Sequence, residues 1–267
     1  MTDLIIGDII FIKMWGNHKF YGFVRGPGEM DDYIFSEVNK KYSDFVRDVI
    51  SGVETTAYDN IIRDLAPDNI HIGRNIRIGE RCVRARKHKN SGEPPFGEMD
   101  IGMNKKCPFQ GRWNKNGESL FYLCKKRDTA FVEIDSKIGD TVSLGHFIFR
   151  QEKKLIDLTG TIWSDSNGIY GGVSAREARS FLLLLVENQC KNQNSEEAYK
   201  VTNYLWKLLK SVNIDGIRYN SVHWKQKSDW ACFALTSDSG VEWRYTEQWK
   251  IENIDRKGHH FCCTSLK

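Results

Sequence analysis

The sequence predicts an α+β fold in two parts: a small N-terminal domain over 1–78, mostly strands with one helix, and a larger domain over 79–267. Three observations predict it. Short apolar runs closed by turn residues crowd both ends of the chain, two segments space their apolar residues by three and four, and a short basic stretch at Ile70 to Ile78 separates the parts.

In the N-terminal part, the runs Ile9 to Ile12, Phe20 to Val24 and Tyr33 to Phe35 are punctuated by Gly16-Asn17 and Gly26-Pro27-Gly28, the pattern of a small antiparallel β unit. Val38, Tyr42, Phe45, Val46, Val49 and Ile50 then follow a helical period up to Ser51-Gly52. Ile70 to Ile78 reads as a last strand of this part or as a connector, which places the boundary between 75 and 80. The larger part begins near Cys82 with a polar, turn-rich insert from Asn90 to Lys106, followed by strand-like Leu120 to Leu123 and Thr141 to Phe149. Ser174 and Glu177 form a capping-box pattern ahead of an apolar run and predict a helix over 175–189. Ala198, Val201, Leu205, Leu208 and Val212 predict another that ends before Asp215-Gly216. Ile217 to Tyr219, Ala231 to Leu235 and Val241 to Tyr245 read as strands, and no fixed period repeats.

Composition narrows the function classes. With 39 Lys+Arg against 35 Asp+Glu, 40% hydrophobic and 12% aromatic residues, the chain has material for one sizeable core or two modest ones and is not of disordered type. Its longest apolar run, Phe181 to Val186, is far below the roughly 20 residues a membrane span needs. The N-terminus lacks the basic and continuous apolar regions of a secretory signal, so a cytoplasmic location without membrane association is expected. Seven cysteines without a CxxC pair read as reduced buried thiols rather than a disulfide framework. Cys262-Cys263 beside His259-His260 lacks a second ligand pair, and no metal is expected.

Charge is concentrated in one window. Between Arg84 and Arg127 stand eleven basic and four acidic residues, a local net of +7 in a chain whose total is +4. Such a window is either a solvated surface or a field that gathers an anionic ligand, a dinucleotide or a nucleic acid. Within it, Arg112 sits in Gly111-Arg112-Trp113-Asn114, where a tight turn can present a guanidinium for bidentate grip on phosphate. Tyr122 lies in a strand whose alternation sends Leu120 and Tyr122 to one face and Phe121 and Leu123 to the other. Glu133 follows Asp128, a candidate N-cap, and falls within the first turn or two of a short helix among apolar neighbours.

The blocks Arg84-Ala85-Arg86, Phe109 to Gly117, Leu120 to Leu123 and Thr129 to Glu133 resemble the RES domain, the toxin half of RES-Xre toxin-antitoxin systems. Gly139 to Phe149, Leu155-Ile156-Asp157-Leu158, Asp215-Gly216-Ile217-Arg218-Tyr219 and Asn220-Ser221-Val222 fit in the same order, so the resemblance covers most of 82–235. It implies an ADP-ribosyltransferase-like fold and an enzyme that cleaves the nicotinamide–ribose bond of NAD, by hydrolysis or phosphorolysis, depleting NAD and arresting growth. It further implies NAD as substrate, phosphate as a possible co-substrate, no metal, and a cognate antitoxin or other neutralising protein as partner. Carried residue by residue, it makes Glu133, Arg112 and Tyr122 catalytic and Arg84, Asn114 and Ser221 substrate-binding. The chain departs from the family pattern where Tyr219-Asn220-Ser221 stands in place of Tyr-Pro-Ser, and again around Ser228-Asp229-Trp230. Transfer of ADP-ribose to a protein is the alternative activity.

Lys19 to Val24 and Asp31 to Ser36 are similar to the two aromatic strands of cold-shock domains, OB-type barrels whose aromatics stack on single-stranded bases. That resemblance implies RNA or single-stranded nucleic acid as a partner, and with it a third alternative, a nucleic-acid-binding protein with an inactive RES-like domain. The other account of the same residues is an ordinary β unit whose aromatics form its own core. His146 and His223 read as structural, and Trp224 and Trp230 as either pocket wall or core.

Overall fold

The computed structural model describes residues 9–15, 18–24, 40, 43–52, 73–90, 92–103, 111–157, 196–210, 214–221, 230–255 and 260–266. Near the N-terminus, β1 (Ile9–Trp15) and β2 (His18–Val24) pair antiparallel with Trp15 opposite His18; Gly16-Asn17 lies outside the described residues. The third run, 33–35, and the helix over 175–189 lie outside the described residues. A helix over 43–50, α1, ends at Ser51-Gly52 as its spacing predicts.

The remaining strands are β3 (Gly73–Ile76), β4 (Arg81–Lys87), β5 (Phe121–Cys124), β6 (Thr141–Phe149), β7 (Lys153–Asp157), β8 (Gly216–Asn220), β9 (Ala231–Leu235), β10 (Val241–Ile254) and β11 (Phe261–Ser265). They form one nine-stranded sheet in the order β11-β10-β6-β4-β5-β9-β8-β7-β3. Its pairings are antiparallel except β7 with β8. A parallel pair needs a long crossover, and α4 (Glu196–Leu209) lies within that connection. The other two helices are short: α2 (Glu98–Ile101) in the insert and α3 (Arg127–Glu133) directly after β5. Among the described residues no helix is long and apolar enough to cross a membrane.

Strand alternation divides the apolar side chains between the two faces of the sheet. One face carries Val83, Ala85, Leu120, Cys124, Val142, Leu144, Ile217, Tyr219 and Cys232, packed with Phe45 of α1, Phe131 of α3 and Leu205 and Trp206 of α4. The other carries Phe121, Leu123, Phe147, Phe149, Phe233 and Leu235, packed with Ile101 of α2. The split between Leu120/Tyr122 and Phe121/Leu123 is the one the sequence predicts.

Two features redraw the junction near residue 78. Gly73–Ile76 pairs with β7, so the stretch that reads as a last strand of the N-terminal part is the edge of the larger sheet. Phe45 is fully buried in the same core as Leu205 and Trp206, its ring edge-on to Tyr204 at 5.8 Å, so α1 packs into the larger unit. A helix with one apolar stripe must bury it somewhere, and α4 offers the complementary surface.

The insert docks on the second face through a polar network. His88 Nε2 stands 2.8 Å from Ser143 Oγ and 3.2 Å from Gln248 Nε2, while His88 Nδ1 stands 3.3 Å from Glu93 Oε2. An amide nitrogen only donates, so Nε2 is the acceptor and Nδ1 carries the proton toward Glu93. Serine, histidine and glutamate stand here in the order of a hydrolase triad. Ser143 is, however, wholly buried, and its oxygen accepts the Phe96 backbone N–H at 3.0 Å; the network ties the insert down instead. Gly145 lets it seat, since a Cβ there would stand 2.7 Å from Ile101 Cγ1.

Candidate active site

Three adjacent strands build the floor of the site on the first face. Tyr122 of β5 is opposite Ala234 of β9, which is opposite Ile217 of β8; one row along, Cys124, Cys232 and Tyr219 are aligned in the same way. Ser221 follows β8 directly and, by alternation, shares the face of Tyr219. Over this floor stand the turn Gly111 to Asn114 and the end of α3.

Glu133 is the last residue of the seven-residue α3, within its two turns as the sequence predicts, and Asp128 is a first-turn acid rather than the N-cap, a position held by Lys126 without a side-chain cap. The helix stops because the chain turns through Asp135 at φ 52°. A carboxylate at a helix C-terminus faces the negative end of the backbone dipoles, a placement that costs stability. Glu133 is half-buried between Val132 and Ile134, and Ser221 Oγ, itself buried, donates to its Oε1 at 2.5 Å.

The Arg112 turn is closed by a bridge in which Gly111 N–H donates to Asn114 O at 3.1 Å. Tyr122 holds it from the sheet: its hydroxyl accepts the Trp113 N–H at 3.1 Å and donates to Asn114 Oδ1 at 2.7 Å. Asn114 Nδ2 donates to the Glu118 carbonyl at 2.8 Å, so this buried amide is engaged in holding the turn together. Trp113 is buried against Tyr219, ring centroids 5.7 Å apart. Gly111 has no room for a side chain, because a Cβ would stand 2.5 Å from Asn114 Oδ1 and 2.9 Å from Tyr122 Oη. Gly111→Ala is therefore expected to lower stability by about 1–3 kcal/mol through overpacking; unchanged urea unfolding would show that the turn can relax.

Electrostatics gather these groups. Burial raises the Tyr122 and Tyr219 phenols and the Cys232 thiol; the Arg112 guanidinium pulls all three down, and Glu133 pushes Tyr219 and Cys232 further up. Arg112 and Glu133 thus act on the same buried groups of one face. Arg112 is half-buried, and among the described residues no carboxylate forms an ion pair with it. The raised values carry a sign. The unfolded chain releases such protons near pH 8.5 for a thiol and pH 10 for a phenol, roughly, and the folded chain releases them later. Their stabilising contribution is complete below about pH 8.5 and is lost as pH rises through the folded values. Melting temperature should fall progressively above about pH 9, and Tyr219→Phe should flatten the fall beyond about pH 10; an identical alkaline fall in the variant would contradict this.

The structure brings Arg112, Asn114, Tyr122, Glu133 and Ser221 to one face. It does not bring Arg84 there. In β4, Val83 and Ala85 face the site side, so Arg84 and Arg86 face the insert, where both donate to Gly102 O, at 2.8 and 3.1 Å. The Arg84 guanidinium stacks over the Phe121 ring at 5.3 Å, and burial lowers its pKa to about 9, still charged at neutral pH. Arg84 fastens the insert. The basic window likewise divides: Lys87 pairs with Asp140 at 2.9 Å, Lys125 with Glu80 at 2.8 Å and Arg127 with Asp128 at 3.0 Å.

His146 bonds Glu247 at 3.0 Å and stacks on Tyr245, Trp230 is buried, and His223 and Trp224 lie outside the described residues. Tyr219 and Thr202 join the site without having been singled out. Tyr219 stands two residues before Ser221 in a strand, and that spacing alone places both on one face. Thr202 lies in the buried arc of α4 beside Val201 and Leu205, and its hydroxyl donates to the Arg112 carbonyl. A polar residue inside an apolar arc is the signal that marks it.

Among curated proteins none matches the chain. The family model described as the RES domain matches residues 81–252, from the start of β4 to near the end of β10, and so takes in every residue of the site. With an α+β fold consistent with the ADP-ribosyltransferase-like type, the chain belongs to the RES domain family.

Proposed function

We propose that the chain is a RES-type toxin that breaks the bond between nicotinamide and ribose in NAD. The observation that carries this is the presence of two ions of opposite role on one face: the Glu133 carboxylate, bonded to Ser221, and the half-buried Arg112 guanidinium, which has no carboxylate counter-ion among the described residues. A dinucleotide presents the complement of both, a pyrophosphate for the cation and a sugar that becomes positive for the anion.

In the reaction the ribose carbon–nitrogen bond breaks with its electron pair going to the pyridinium nitrogen, so nicotinamide leaves neutral and needs no strong acid. Positive charge develops on the ribose, as in glycosidases. Glu133 stabilises that oxocarbenium-like state through its charge and orients the attacking water or phosphate. Water adds its oxygen to the ribose carbon and releases a proton; phosphate adds an oxygen and keeps the product charged. Arg112 grips the pyrophosphate or the attacking phosphate with paired donors. Tyr122, whose hydroxyl is engaged with the turn, offers its ring. Ser221 holds Glu133 through its hydroxyl and serves as a polar anchor. Loss of NAD arrests growth, and a neutralising protein is the expected partner.

The fate of the ADP-ribose half tests the reading. The purified chain is incubated with NAD labelled in the adenine, with and without phosphate. Free ADP-ribose means hydrolysis, ADP-ribose-1″-phosphate means phosphorolysis, and label on protein means transfer. Intact NAD in every arm would overturn the proposal.

A further inference from the structure

Among the described residues no side chain pairs with the Arg112 guanidinium, so its position follows from its backbone. One peptide group decides that backbone. The carbonyl of Arg112 and the N–H of Trp113 belong to the same planar unit, and they are held from opposite sides. The Thr202 hydroxyl of α4 donates to the carbonyl, and the Tyr122 hydroxyl of β5 accepts the N–H at 3.1 Å. Rotation of that plane would break both bonds at once. Two further ties keep helix and turn in register: Lys210 of the α4 C-terminus pairs with Glu118, whose carbonyl accepts the Asn114 amide at 2.8 Å. Thr202 is buried, and its hydroxyl also lies 3.4 Å from the Tyr199 carbonyl of its own helix, a longer contact than the one to Arg112.

We propose that Thr202 and Tyr122 clamp the Arg112–Trp113 peptide and so aim the Arg112 guanidinium, making Thr202 a positioning residue for the anionic part of the substrate, although it need not touch that substrate. The inference rests on the NAD reading for its ligand, but not for the clamp itself. A long cation whose base is free to rotate sweeps a wide arc and loses part of its binding energy in being ordered. Losing one neutral hydrogen bond, about 1 kcal/mol, corresponds to roughly a five- to tenfold weaker grip. Since Arg112 would hold the pyrophosphate equally in ground and transition states, the loss belongs in KM.

The test uses the full chain with Thr202→Val, which keeps the shape and removes the donor, and Thr202→Ser, which restores the hydroxyl. Thr202→Val should raise KM for NAD about five- to tenfold with kcat within about twofold, and Thr202→Ser should return KM to the parent value. Combined with Arg112→Ala, Thr202→Val should add no further rise. Amide hydrogen exchange at Trp113, read without any ligand, should quicken in the valine variant. An unchanged KM, a loss confined to kcat and melting temperature, or a serine variant that behaves like valine would overturn the proposal. Should the parent chain leave NAD intact, the NAD reading fails separately and the exchange rate alone decides: faster exchange in Thr202→Val upholds the clamp, equal exchange removes it.

Discussion

Glu133→Gln is expected to leave the fold intact and to slow nicotinamide release from NAD by about a thousandfold or more, the scale on which preorganised electrostatic stabilisation acts. Glutamine preserves the shape of the side chain and an oxygen to accept the Ser221 hydroxyl, so the bond between α3 and the end of β8 survives. What is lost is the negative charge, the one property an oxocarbenium-like ribose needs from this position. Melting temperature should change little, or rise slightly, because the carboxylate stands at the unfavourable end of α3. This separates the charge from the architecture. A variant with parental rate would remove Glu133 from the mechanism, whatever its contacts.

The second large effect concerns the sheet that carries Ser221. Asp157 at the end of β7 and Arg218 in β8 are register partners of the parallel pair, and Arg218 Nη1 donates to Asp157 Oδ2 at 2.9 Å. The Asp157 side chain is fully buried and that of Arg218 nearly so. Arg218→Met removes the guanidinium and leaves a buried carboxylate without it, which costs about 3–5 kcal/mol. The double variant Asp157→Leu, Arg218→Met removes both charges and should recover most of that loss. Urea unfolding of the three proteins gives the comparison; a single variant as stable as the double would show that no desolvated charge is at stake. Because Ser221 follows Arg218 by three residues, the single variant should also release the hydroxyl that holds Glu133.

How much of this was legible in the sequence depended on whether the signal was local. Thr141–Phe149 and Ala231–Leu235 are strands with the predicted bounds, because runs of buried β-formers carry their own evidence. Val241–Ile254 is far longer than its predicted five residues; beyond Tyr245 buried Gln248 and Ile251 stand among exposed Lys250, Glu252 and Asn253, and its strand identity comes from pairing with β6 and β11. Phe261–Ser265 went unpredicted for the same reason, as an edge strand with mostly exposed side chains. In the sequence β4 is legible as the motif Arg84-Ala85-Arg86 and not as a strand. Once Arg81–Lys87 is a strand, alternation alone sends Arg84 away from Ala85 and the site. The grouping of Arg112, Tyr122, Glu133 and Ser221 was legible only through resemblance, since β8 lies far in sequence from β5 and α3 and no local pattern reports their contact. Asn114 was legible as part of the turn, but its role as an internal brace appears only when Tyr122 is seen to reach it.

The central claim is that the Glu133 face breaks the glycosidic bond to nicotinamide and no other bond of NAD. NAD labelled in the nicotinamide ring, incubated with the purified full chain and resolved over time, tests it most directly. The account predicts that the label leaves as free nicotinamide, at a rate that Glu133→Gln suppresses. Label retained in NAD, or released as nicotinamide mononucleotide by a cut at the pyrophosphate, would contradict it.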